Sequence, residues 1–134
     1  MSMPKAFVRG GPLILLRIEG AAVFAAATLA YAQIGQAWWL FAALILVPDL
    51  SMLGYVANSR IGALCYNVVH TVTSPLILIG LGFARDSSLT ESIGAIWLAH
   101  IGADRMLGFG LKYATAFADT HLGRLGLRTT AADC

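Results

Sequence analysis

The chain has 134 residues and a net charge of +2, with 58% hydrophobic and 12% charged side chains. A mean hydropathy of +0.75 is too high for an ordinary soluble domain. The Lys and Arg residues sit at the ends of apolar runs instead of forming an interleaved basic surface, which argues against a nucleic-acid interface. A length of this order leaves room for one domain, taken as residues 1–134.

In chain order, the hydropathy predicts spans from Pro12 to Ala32, Ala37 to Ala57, Ile61 to Phe83 and Ser92 to Leu111. The first has a rival reading as a cleaved signal peptide, because Lys5 and Arg9 precede an apolar run that ends in Ala30-Tyr31-Ala32. Arg17 and Glu19 interrupt the core such a signal needs, and the run is long enough to span by itself. The breaks at Ile34-Gly35-Gln36, Asn58-Ser59-Arg60 and Ala84 to Glu91 are short, so successive helices must be antiparallel neighbours. The expected fold is all-α: a polytopic, four-helix up-down transmembrane bundle with a short C-terminal cytoplasmic tail from Lys112 to Cys134. A strand reading fails, because the runs are continuous and an open sheet edge is not satisfied in lipid.

Lys5, Arg9, Arg17, Arg60, Lys112, Arg124 and Arg128 fall on one side of this threading and only Arg85 on the other. By the positive-inside rule both termini are cytoplasmic, in a multi-pass protein of the cell membrane. Ala114 to Leu127 is expected to form a short helix at the inner surface. Trp38 and Trp39 suit an interfacial belt, and Trp97 lies toward the same end of the fourth span. Cys65 and Cys134 form no motif and are read as ordinary thiols.

Glu19, Asp49, His70, His100 and Asp104 interrupt the apolar runs where unpaired charge is costly. Four of them lie roughly 10 to 14 Å from the cytoplasmic ends of their spans, with His100 one turn deeper. His100 and Asp104 are four apart on one helical face, as are Tyr66 and His70, and Asn67 is three from His70. Carboxylates and imidazoles are ligands for zinc, manganese or iron, and a dication offsets the desolvation of several carboxylates together. His70, His100, Asp104 and Asp49 are therefore the expected metal ligands.

Two other readings stand beside it: Arg17 and Arg105 pairing with the carboxylates while the histidines act as helix-packing glue, or a proton pathway through the same residues. Haem is disfavoured, because carboxylates beside both histidines do not suit a porphyrin's apolar walls. Pro48 and Pro75 free the carbonyls of Leu44 and Thr71, so both helices are expected to open beside the site. Asp119 or His121 of the tail is a candidate to cap the inner mouth of the bundle.

The segments Leu16-Arg17-Ile18-Glu19-Gly20, Pro48-Asp49-Leu50-Ser51-Met52-Leu53-Gly54-Tyr55, Tyr66-Asn67-Val68-Val69-His70 and Trp97 to Arg105 are similar to a small family of bacterial integral membrane proteins known only as a domain of unknown function. The likeness continues from Gly108 through Tyr113 to Thr120-His121-Leu122-Gly123 and carries no activity. More loosely, a Pro-Asp pair ending one apolar segment and a His in the next resembles membrane-bound metal-dependent hydrolases of bacteria. That resemblance implies that Asp49 and His70 bind metal. The chain departs from it by lacking the His-Arg-Gly and Thr-His-Ser clusters, with Tyr66-Asn67 and His70-Thr71 nearby instead.

The functional expectation is a metal-dependent hydrolase working on a lipid-like substrate. Glu19 or Asp49 would be the general base, Arg105 or Lys112 would hold an anionic group, and Tyr66 and Asn67 would stand beside the substrate. The competing expectation is a proton-coupled transporter or carrier, which four short spans would support only as a homo-oligomer.

Overall fold

The computed structural model describes residues 8–112, 119–120 and 122–124. Helix α1, Gly11–Ile34, starts with a proline in its first turn and stops at Gly35, whose left-handed φ of 83° lets its N–H bond the Tyr31 carbonyl. Helix α2, Trp38–Leu44, is short for a local reason. Pro48 has no N–H to give the Leu44 carbonyl, so the chain tightens into a 3₁₀ segment, Val47–Val56.

Asn58 caps α3, Ser59–His70, by accepting a hydrogen bond from the Ile61 N–H at 2.9 Å. The expected third span then breaks. Thr71 is extended, and α4, Thr73–Ala84, continues at 43° to α3, because Pro75 leaves the Thr71 carbonyl without a helical donor. Ser87 caps α5, Ser88–Leu107, which ends at Gly108 with φ of 91° and with the Phe109 N–H on the Asp104 carbonyl at 2.8 Å.

Helices α1 and α5 pack antiparallel at backbone distance. A Cβ on Gly102 would lie 2.5 Å from the Phe24 nitrogen, and one on Gly20 would lie 2.5 Å from the Arg105 Cβ. Farther along the same pair, Tyr31 packs on Ala95 and Ile96 and places its hydroxyl 2.6 Å from the Ala37 carbonyl. Helix α4 folds back on α5 through Gly82 and Gly94, and the 3₁₀ segment lies on α3 where Tyr55 covers Gly62. Ser92, Gly94, Ala95, Ile96, Ala99, His100, Ile101 and Gly102 are all buried, so α5 is the central post.

The outer faces of the other elements are apolar, with Ile14, Ile18 and Leu29 of α1, Leu50 and Leu53 of the 3₁₀ segment, and Ile77 and Phe83 of α4 all exposed. Such a surface suits lipid. Helix α1 and the stretch Trp38–Val56 are each long and apolar enough to cross a membrane, and α3 with α4 gives a third crossing if the bent pair is one span. The fourth expected span is not among them. Glu91, His100, Asp104 and Arg105 lower the apolarity of α5, and its enclosure by other helices is what makes them tolerable.

In the tail, β1 (Asp119–Thr120) pairs antiparallel with β2 (Gly123–Arg124), which replaces the expected helix at these positions. Leu122, between the two strands, is buried; the rest of Ala114 to Leu127, including His121, lies outside the described residues, as does Cys134. Cys65 is a free, half-buried thiol.

Candidate metal centre

Each side chain of the site is placed by a local departure from helix or by α5. Asp49 follows Pro48 in the first turn of the 3₁₀ segment, His70 is the last residue of α3, and His100 and Asp104 are one turn apart on α5. Their ligand atoms all lie within 4.8 Å of one another. The two imidazole Nε2 atoms are 3.1 Å apart. His70 Nε2 is 3.5 Å from Asp49 Oδ1 and 3.5 Å from Asp104 Oδ2, and His100 Nε2 is 3.3 Å from each of the same oxygens. Donors about 2.0–2.1 Å from a tetrahedral ion stand roughly 3.3 Å from one another. The distances from each imidazole to the other and to both carboxylates therefore suit donors around one small dication.

The His70 tautomer agrees with this. His70 Nδ1 lies 2.9 Å from the Tyr66 carbonyl and donates to it, which leaves the Nε2 lone pair facing the cluster. The His70 lone pair, the His100 Nε2 and two carboxylates then converge on one point, a donor set that a cation between them would satisfy. Haem does not fit, because a porphyrin cannot enter between nitrogens 3.1 Å apart.

The break after His70 leaves a run of carbonyls that side chains satisfy. Ser74 donates to Val68 at 2.7 Å, the Trp97 indole N–H to Val69 at 2.7 Å, and Arg105 to His70 at 3.4 Å. Trp97 is thus an interior residue that fixes the helix end carrying His70, not the interfacial anchor its span position suggested. Its partner carbonyl exists only because the helix breaks. Tyr66 stacks on the His70 ring with centroids 3.7 Å apart, and its hydroxyl points to Asp104 Oδ2 at 3.5 Å.

Asn67 clasps the chain beyond α5. Its Nδ2 donates to the Lys112 carbonyl at 2.8 Å, and its Oδ1 accepts from the Lys112 N–H at 2.7 Å. The Lys112 ammonium is thereby held 4.6 Å from the Tyr66 ring centre and 5.7 Å from that of Tyr55. Burial pulls Lys112 down to about 8, against the opposing pull of Asp104 and Asp49, so it carries its charge at neutral pH.

Glu19 does not join the cluster. It is exposed on α1 and lines a separate cavity of about 140 Å³ with Leu16, Val72 and Arg105. The neighbouring Gly20 is the residue pressed on α5, and one residue along a helix turns the side chain about 100° away. Arg17 donates to the Met106 carbonyl at 2.8 Å. Asp119 is described only through its backbone pairing.

These features define a chain of apolar helices with an interior His/Asp cluster able to hold a metal ion. The chain belongs to the family described as Domain of unknown function (DUF4260), whose model matches residues 13–125. No curated protein and no solved structure matches it.

Proposed function

We propose that the protein is a membrane-embedded, divalent-metal-dependent hydrolase that acts on an amphiphilic substrate in the inner half of the bilayer. The observation that carries this reading is the convergence of Asp49, His70, His100 and Asp104, whose ligand atoms lie within 4.8 Å of one another. In this reading α5 is the fourth crossing, the spans run up and down in the cell membrane, and both termini are cytoplasmic.

A bound dication supplies Lewis acidity that makes water a usable nucleophile near neutral pH. His70, His100 and Asp104 are the fixed donors. Asp49, with its side chain 33% accessible, is the most open member and the one suited to receive the proton of the attacking water. The water oxygen bonds to the acyl or phosphoryl centre, and the proton passes from Asp49 to the departing oxygen. Tyr66 and Asn67 shape the approach, and Arg105 and Lys112 face the negative charge.

A second reading, a proton-coupled carrier acting as a homo-oligomer, draws on the two Pro-broken helices at the site, a construction found in transporters. Elemental analysis of the detergent-solubilised protein separates them. The hydrolase reading expects one stoichiometric metal that is lost, with turnover, in His100→Ala and Asp104→Ala while the fold is retained. Absence of metal, with uptake into liposomes driven by a pH gradient, would establish the carrier instead.

A further inference from the structure

The cluster lies across the seam between α3 and α5. Helix α3, which carries His70, packs chiefly on the 3₁₀ segment, whereas α5, which carries His100 and Asp104, packs chiefly on α1 and α4. Side chains bridge the seam. The Trp97 indole and the Arg105 guanidinium reach from α5 to the carbonyls of Val69 and His70, and so hold the backbone at the end of α3. Neither of those two bonds touches a donor atom of the cluster.

Tyr66 makes a different bridge, because it meets donor side chains on both helices. It is buried, and its ring lies nearly parallel to the His70 imidazole, at 10° and with centroids 3.7 Å apart. Its backbone carbonyl accepts from His70 Nδ1 at 2.9 Å, so one residue fixes both the plane and the rotation of that imidazole. Its hydroxyl lies 3.5 Å from Asp104 Oδ2, the same oxygen that stands 3.5 Å from His70 Nε2 and 3.3 Å from His100 Nε2. A phenol donating to that oxygen occupies one lone pair and leaves the other for the space between the imidazoles. The Lys112 ammonium also lies over the Tyr66 ring, 4.6 Å from its centre, which restrains the ring further.

Donors on two helices bind an ion well when neither side chain is free to rotate away, because the ordering cost is then met in folding and not in binding. We infer that Tyr66 is the positioning residue of the cluster, its hydroxyl setting the Asp104 carboxylate while its ring and carbonyl set the His70 imidazole; this rests on the metal reading of the cluster.

The test titrates the full chain in lipid nanodiscs with Co²⁺, whose visible d–d bands report the geometry of its donors. Tyr66→Phe keeps the stack and the carbonyl and removes only the hydroxyl. Co²⁺ affinity is expected to fall roughly fivefold, and the bands of the bound ion are expected to shift, because Asp104 Oδ2 loses its donor. In Tyr66→Leu the aromatic stack goes as well, and affinity should fall roughly thirtyfold. Loss of thermal stability alone, with wild-type affinity and bands kept in Tyr66→Phe, would mean a packing role and would overturn the inference. Tyr66→Phe decides the matter even if Tyr66→Leu fails to fold. Failure of the metal reading looks different: the wild type itself would then take up no stoichiometric Co²⁺, and both readings would fall together.

Discussion

Among the described residues helices α1 and α5 are the two long unbroken helices, they pack against each other, and both carry ionisable residues within apolar surroundings, yet they use them in opposite ways. Helix α5 turns His100 and Asp104 inward to meet Asp49 and His70, whereas α1 leaves Glu19 exposed. The difference comes from azimuth. On α1 the face toward α5 consists of Gly20, Ala27 and Tyr31, small or flat-packing residues that allow close approach, and Glu19 lies off that face. Similar depth in a membrane therefore does not place two residues in one site; the helical face decides.

The sharpest way to break this comparison is to part the two helices. Gly102→Val puts a branched side chain where even a Cβ meets the Phe24 backbone, so a loss of about 3 kcal/mol is expected in thermal unfolding in detergent. An unchanged midpoint would mean that α1 does not pack at backbone distance. Next comes Trp97→Phe, which keeps the apolar bulk but removes the donor to Val69. About 1–2 kcal/mol of stability is expected to go, and Zn²⁺ affinity should fall roughly tenfold because His70 stands on the loosened turn.

Asn67→Ala is milder. It frees both Lys112 backbone groups, is expected to cost about 1 kcal/mol, and should be visible as faster hydrogen exchange at the Lys112 amide. If the exchange rate holds, the clasp is not what retains this segment. The smallest effect belongs to α1: Glu19→Gln should leave Zn²⁺ affinity within about twofold, and a larger loss would bring Glu19 into the site after all.

The sequence made the helical class, the site of each Pro-linked break and the grouping of Asp49, His70, His100 and Asp104 readable, because those follow from hydropathy, proline geometry and i,i+4 spacing. Glu19 was not separable from that group, since its rotation about α1 is set by Gly20 meeting Arg105, a tertiary contact. Trp97 was equally hidden. An indole near a helix end reads as an interface anchor until the freed Val69 carbonyl is seen beside it. Ser74, which directly precedes Pro75, did carry a signal: a hydroxyl next to a helix-breaking proline is well placed to serve a freed carbonyl, and it does so for Val68. Helix α5 does not reach the apolarity of the other candidate spans, because a helix sheltered by its neighbours does not need a lipid-compatible sequence.

The paired hydrogen bonds between the Asn67 amide and Lys112 copy the two-bond exchange that locks opposing residues in an antiparallel ladder. An amide side chain thus acts as a single rung, and a rung sets register. Inserting or deleting one residue between Gly108 and Lys112 would seat a different residue on that rung and swing the ammonium off the tyrosine faces, so the length of this connection is under as tight a constraint as the identity of the lysine it delivers.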